Sequence, residues 1–454
     1  MDYQKLNQAI LDQKEEIFEG ISGAIQINSV GGAPEEGAPY GSGPEKALEY
    51  ALTLGEKFGF KAVNVDNQVG YLEYGEGEEM VMVLGHLDVV PVGDDWTYPP
   101  FGGEIHEGRM YGRGVSDDKG ATIGAIYALR AIRDLNIPLD RRIRVMFGTN
   151  EETGSRGVKY YVEKGEEVPV MGITPDALFP MIFFEKGMTF LTAGISAANQ
   201  GPIRVLEFEG GTASNIVPLR CRLVLEGSHP IPEKKGVCLS IEGGKTVIEA
   251  TGKSAHGSLP ELGVNAITLL TEAVKDLNIG GDFQKVIDFY NEKIGRDWTG
   301  SSLGLYYFDE ETGETTVNPG TLSYDGKDLT FTLDIRYPKN GDPAQVKKAL
   351  EKELSSRGLE IFSYSTSDAL YVPKDSPLIQ KLLKVYEEGT GEKAEPLAIG
   401  GGTYAKSMPN IVAFGPVFPG EPDVNHQPDE NLELEKLIKA IQLIACAMAE
   451  MARK

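Results

Sequence analysis

Five short polar clusters along this 454-residue chain carry side chains able to do chemistry. In Gly85-His86-Leu87-Asp88 an imidazole and a carboxylate stand two apart, so at the end of a strand they project to the same side. A neutral imidazole is a common ligand for zinc-like metals, and a carboxylate on its second nitrogen fixes the tautomer. In Tyr111-Gly-Arg-Gly-Val-Ser-Asp117-Asp118-Lys119-Gly120, two adjacent acids open a helix. A plain helix cap would account for them, but the flanking glycines let the backbone turn sharply and approach a ligand closely. Thr149-Asn-Glu151-Glu152-Thr-Gly154 places two glutamates at the buried end of a strand, where unpaired charge is costly. One carboxylate can bind metal there while its neighbour relays protons. Asp176 in Thr174-Pro175-Asp176-Ala177 and His426 in Asn425-His426-Gln427-Pro428-Asp429-Glu430 read, taken singly, equally well as a turn acid and a loop histidine. Together the five clusters make a mixed nitrogen and oxygen set suited to two adjacent divalent cations, because a shared carboxylate can bridge metals about 3.5–4 Å apart.

The elements that must position these residues are legible around them. Met80–Leu84 and Ile143–Phe147 are short continuous apolar runs, each ending at a polar cluster. Between them a helix over Lys119–Leu135 spaces Ile123, Ile126, Leu129 and Ile132 for one buried face. Strands separated by amphipathic helices predict a mostly parallel sheet sandwiched by helices, with ligands at the carboxyl ends of its strands. Upstream, one helix is expected over Tyr3–Ile25 and another over Gly43–Phe58, with a Gly/Pro/Ala-rich loop between.

From Gly187 the texture changes to short β-like stretches (Met188–Ala193, Arg204–Phe208, Cys221–Leu225, Lys245–Ala250) and a helix near Gly263–Leu277. A similar series follows: Gly320–Tyr324, Leu329–Arg336 and a helix at Pro343–Ser356. Long helices return at Pro377–Glu388 and Glu433–Ala449. The expected class is α/β: a catalytic domain formed by residues 1–186 and 372–454, interrupted by an inserted α+β lid of two units over 187–371.

The balance of 68 acidic against 44 basic residues gives a formal charge of −24. That charge repels phosphates, which argues against nucleic acid or an anionic membrane as partner. Leu437–Met448, the longest C-terminal apolar segment, is interrupted by Lys439 and Gln442 and is too short to span a bilayer. Cys221, Cys238 and Cys446 are scattered and odd in number, which favours a reducing compartment over a disulfide framework. The charged, helix-patterned N-terminus lacks the apolar core of a secretory signal, so a cytoplasmic location is expected.

Read in order, GHLDVVP, GRGVSDDKG, GTNEETG, PDA, GKSAH, GGGTYAK and NHQPDE resemble the motifs of the M20 metallopeptidases, most closely the PepV-type dipeptidase branch. The resemblance spans essentially the whole chain and implies a zinc-peptidase-like catalytic domain with a lid. It implies that His86 and Asp176 bind one metal, Glu152 and His426 the other, and that Asp117 bridges them. Asp88 would orient His86 and Glu151 would be the general base. Asp118 is the variable position of its signature and is not expected to be a ligand; family members have a cis peptide after the bridging Asp. In the lid, His256 of Thr251-Gly-Lys-Ser-Ala-His256-Gly would stabilise the oxyanion, and Asn215 and Arg336 would hold the substrate, Arg336 at its C-terminal carboxylate. Gly401 and Gly402 would line the substrate pocket. His106 and His229 match no ligand motif and are expected to have no catalytic role.

The resemblance thus implies a two-metal hydrolase that cuts dipeptides or short peptides with a free N-terminus. The metals would be two per chain, zinc first, with manganese or cobalt as alternatives. Two rival readings are an N-acyl-amino-acid deacylase of the same fold and a non-catalytic binding protein. Many family members pair through the lid. The enlarged lid here can supply both halves from one chain, so a monomer acting on small peptides is expected.

Overall fold

In the computed structural model, residues 3–454 are described; Met1 and Asp2, counted in the first catalytic segment, lie outside them. The chain forms two compact units. The first comprises Met1–Phe183, Tyr371–Ala398 and Gly402–Lys454, and the second Phe184–Leu370 with Ile399–Gly401. The short Ile399–Gly401 stretch therefore groups with the central segment. It separates Gly401 from Gly402.

The first unit is built on a mixed sheet. Its order runs Lys61–Val65, Val69–Tyr74, Arg142–Gly148, Met80–His86, Met171–Thr174, Ile411–Ala413, Ile182–Glu185. The four central members of this series run parallel, and the hairpin strands at one edge run antiparallel. Met80–His86 is buried along its whole length, as expected of a parallel strand covered on both faces. Its two last residues show the covering. A Cβ on Gly85 would stand 1.8 Å from Thr122 Oγ1 of the helix Lys119–Asp134. His86, pointing the other way, meets the ring of Tyr404 edge-on, with centroids 5.8 Å apart.

The helix Lys119–Asp134 buries Ile123, Ile126, Leu129 and Ile132 and packs against the C-terminal helix Leu434–Met451, where Gly124 gives Ile441 room. The predicted single helix over Tyr3–Ile25 is instead two, Tyr3–Asp12 and Lys14–Ile25. At the break, the Gln13 amide donates to Ile10 O, three residues back, which tightens the turn and interrupts the four-residue ladder.

The second unit is an antiparallel sheet of eight strands among the described residues. Its order is Val237–Glu242, Lys245–Thr251, Arg220–Glu226, Val205–Gly210, Thr316–Tyr324, Leu329–Tyr337, Gly187–Ile195, Glu360–Ser367. The two similar stretches read from the sequence share this one sheet, joined by pairing of Glu209 with Ser323 and Gly210 with Leu322. Helices Ala266–Val274, Gly281–Phe289 and Pro343–Ser356 supply Ile267, Leu270, Phe283, Val286, Val346 and Leu350 to its core. Asp342 caps the last of these by accepting from the Ala344 and Gln345 amides, with Pro343 in the first turn. Among the described residues no helix is long and apolar enough to cross a membrane.

Candidate metal centre

Three parallel strands that lie side by side, Arg142–Gly148, Met80–His86 and Met171–Thr174, deliver the polar clusters that follow them to one end of the sheet. His86 is the last residue of its strand and is fully buried. Its Nε2 lies 2.9 Å from Asp117 Oδ1 and 3.7 Å from Asp176 Oδ1. Asp117 turns its other oxygen to His426, with Oδ2 at 3.0 Å from Nε2, and Glu152 Oε2 is 3.3 Å from the same nitrogen. Two triads result, His86 with Asp117 and Asp176, and Asp117 with Glu152 and His426, and they share Asp117. Within each, one donor atom per residue lies within 4.8 Å of the others, and Glu151 joins His86 and Glu152 in a third such group.

The electrostatics of this cluster call for cations. Among the described residues no lysine or arginine pairs with Asp117, Glu151, Glu152 or Asp176. Burial pushes Glu151 up to about 8 and Asp176 up to about 6. Hydrogen bonds to Asp117 and Glu152 push His426 up to about 10. Protons are thus drawn to carboxylates and imidazoles that would otherwise crowd negative charge in a low-dielectric site. Divalent cations can fill that role, and a nitrogen and oxygen donor set with one carboxylate common to both triads fits a pair of them.

The supporting contacts divide the work differently from the sequence expectation for Asp88. Its backbone oxygen, at 3.0 Å, accepts from His86 Nδ1, while its carboxylate stands 3.7 Å off. The carboxylate instead accepts the amides of Glu151 and Glu152 at 2.9 and 3.1 Å, fixing the turn that carries both glutamates. Two adjacent amides at the head of that turn are a stronger draw for a carboxylate than a ring nitrogen that a carbonyl already holds.

Asp117 sits in a loop gathered by a residue whose role the sequence did not signal. Glu430 is fully buried and accepts from the amides of Gly114, Ser116 and Asp117 at 2.9–3.1 Å, while Arg113 Nη1 donates to it at 2.7 Å. Ser116 Oγ donates to Asn425 Oδ1 at 2.8 Å. The loop bearing Asp117 and the loop bearing His426 are therefore one assembly. Lys119 is also buried, its Nζ donating to Ala24 O and Ile27 O at 2.9 and 2.8 Å. The Asp117–Asp118 peptide is cis. Asp118 points away from the cluster, with Oδ2 accepting from the His86 amide and Thr122 Oγ1.

Of the remaining predicted residues, Asn215, His256, Arg336 and Gly401 belong to the second unit and Gly402 to the first. The Gly257 amide donates to Asn215 O at 2.7 Å, and Asn318 Nδ2 donates to the carbonyls on either side, Ser214 and Ile216. His256 is exposed, with Nδ1 beside Ser258. Arg336 is only 3% exposed, so its engagements matter: Nε and Nη2 donate to Asp334 at 2.7–3.2 Å and Nη1 to Gly400 O at 2.7 Å. That Asp334, two residues back on the same strand face, claims it is not signalled by the sequence. His106 bonds Glu104 and stacks on Tyr98 at a surface hairpin, and His229 bonds Glu226 O; neither joins a cluster.

Comparison with known proteins places these features in context. The model of peptidase family M20/M25/M40 matches residues 82–450. The Bacillus subtilis protein described as "Putative dipeptidase YtjP" is 38% identical over 462 aligned residues, covering 98% of this chain and 99% of that one. A Staphylococcus haemolyticus protein of the same description, SH1171, is 31% identical, covering 96% of each. Among solved structures, human carnosine dipeptidase 1 superposes with a TM-score of 0.62 at 16% identity, covering 100% of this chain and 99% of that one. The dipeptidase Dug1p of Saccharomyces cerevisiae gives 0.60 at 14% identity, covering 99% and 98%. At such identities these two speak for the fold alone.

Proposed function

The chain belongs to peptidase family M20/M25/M40, and we propose that it is a dipeptidase of the PepV type that works with two divalent cations. The observation that carries this reading is the pair of triads sharing Asp117. His86 and Asp176 would hold one cation, Glu152 and His426 the other, and Asp117 both. Bound there, such cations supply Lewis acidity and make water acidic enough to lose a proton near neutral pH. Zinc suits the mixed imidazole and carboxylate set, with manganese and cobalt as alternatives.

The chain's own residues then have these tasks. Glu151 shares a group with His86 and Glu152, and among the described residues no lysine or arginine pairs with it. It takes the proton from the attacking water and returns it to the departing amine. Asp88 holds Glu151 in place through its amide. His256 donates to the oxygen on which charge develops. Asn215 binds the substrate, and Arg336 meets its carboxylate through the N–H groups that Asp334 and Gly400 leave free. Gly401 and Gly402 let substrate approach the backbone. Three unpaired cysteines fit a reducing, cytoplasmic setting, and a second-unit sheet supplied by one chain fits a monomer.

The test is a panel assay. Metal-stripped protein, reloaded separately with zinc, manganese and cobalt, is given free dipeptides, longer peptides and N-acetyl amino acids. Hydrolysis confined to short peptides with a free amine supports the reading. Preferential release of acetate would replace it with a deacylase.

A further inference from the structure

The turn that follows His256 favours one ring nitrogen over the other as the bearer of the proton. Ser258 is buried, and two of its groups meet Nδ1. Its backbone N–H lies 3.2 Å away and its hydroxyl oxygen 2.7 Å away. A backbone amide only donates, so at 3.2 Å it favours a lone pair on Nδ1 without compelling it, and the closer hydroxyl, free to donate, adds the second and shorter bond to that lone pair. On a neutral ring the single proton is then left to Nε2. Among the described residues Nε2 has no hydrogen-bond partner.

The turn itself is firmly seated. Gly257 is fixed by the hydrogen bond its amide N–H donates to Asn215 O. Behind Ser258 lies Gly400, where a Cβ would stand 2.6 Å from Ser258 Cβ, so the seryl side chain fills the space that this glycine leaves open. Gly400 O in turn accepts from Arg336.

We infer that Ser258 is a positioning residue that locks His256 in the Nε2–H tautomer, so that the ring offers substrate a donor and never a lone pair. This rests on the oxyanion-binding role given to His256 above, for which the opposite tautomer would turn an acceptor toward developing negative charge. The partial desolvation of the inner side of the ring, and after it the Arg336 guanidinium, push His256 below the usual imidazole range, which favours the neutral ring.

The chain has five histidines, few enough for long-range 1H–15N spectra of the full-length protein labelled at histidine. His256→Gln assigns the His256 signals by their disappearance. The wild type should show protonated Nε2 and unprotonated Nδ1. Ser258→Ala, which removes the hydroxyl and keeps the amide, should show a mixture of tautomers. It should also lower kcat by roughly 2–10-fold, the worth of one hydrogen bond, with KM within about two-fold. A protonated Nδ1 in the wild type overturns the inference. So does a Ser258→Ala variant with unchanged spectrum and kcat. Full turnover by His256→Gln beside a wild-type Nε2–H spectrum would instead remove the oxyanion role and leave the tautomer assignment standing.

Discussion

In the first unit, Asp117, Glu151, Glu152 and Asp176 converge with two imidazoles, and among the described residues no lysine or arginine answers them. In the second, Arg336 and Asp334 neutralise each other side by side on one strand, and His256 stands at the surface with its inner nitrogen already satisfied. The first cluster is electrostatically incomplete by itself, whereas the second is complete. A site left incomplete is built to take in charge from outside; a site already balanced can only lend hydrogen bonds. Substitutions in the two regions should therefore differ in kind as well as in size.

The largest effect should come from Glu151. Glu151→Gln keeps the shape and the donors of both triads and removes the proton acceptor. Turnover should fall by about 10²–10⁴-fold while the metal content measured by elemental analysis stays at the wild-type level. Retained turnover would deny Glu151 the role of base.

Glu430 comes next. Its carboxylate gathers three amides of the loop that carries Asp117. Glu430→Gln should weaken metal binding by about 10–100-fold in calorimetry, the usual scale for losing an outer-shell support. It should also cost about 3–5 kcal/mol of stability, because Arg113 is left buried without its partner. Adding Arg113→Met should restore part of the stability and none of the metal affinity. Recovery of both would reduce Glu430 to a simple counter-charge.

These two residues also mark what a sequence can and cannot say. Glu151 was legible because it follows an apolar strand, where a charged pair is conspicuous. The same logic found His86, which ends a strand buried throughout. Local spacing gave the helices Lys119–Asp134 and Pro343–Ser356 to within a residue. Glu430 stands in its motif without a legible task, because its partners lie more than 300 positions away and only packing brings them to it. In the sequence the Asp88 carboxylate has His86 as its nearest partner, whereas the competing amides of Glu151 and Glu152 are 63 and 64 residues distant. The strand Val237–Glu242 and the helix Gly281–Phe289 were likewise unread. The strand alternates Val237, Leu239 and Ile241 at an exposed sheet edge, where burial does not reinforce the pattern.

A third effect separates the regions by pH. In metal-free protein Glu151 and Asp176 are raised from 4.5 and 3.8 to about 8 and about 6. Groups raised on folding lend stability that is complete below their unfolded values and lost as pH rises through the folded ones. Chelated protein should accordingly lose stability from these groups between about pH 4 and pH 8. Metal binding requires the deprotonated forms, so loading should release protons and tighten as pH rises. The gap in Tm between loaded and chelated protein should widen across that window, and calorimetry in buffers of different ionisation enthalpy should register the released protons. A constant gap would mean that the cluster is not where the cations go.

The smallest effect is expected at Arg336, and its direction decides what the balanced cluster is for. Lysine keeps the charge and loses the planar fork that lets one side chain serve Asp334, Gly400 and a further carboxylate together. If the free N–H groups meet substrate, Arg336→Lys should raise KM by roughly 3–10-fold with kcat nearly unchanged, the pattern of an interaction equal in ground and transition states. If the guanidinium serves only to hold Asp334 against the Gly400 carbonyl, the substitution should lower Tm and leave KM alone. The two outcomes cannot be confused, because a purely structural pair has no reason to sense the length or terminus of the peptide. Comparing KM for a dipeptide and its C-terminal amide in both proteins sharpens the contrast: the wild type should lose affinity on amidation, and Arg336→Lys should lose less.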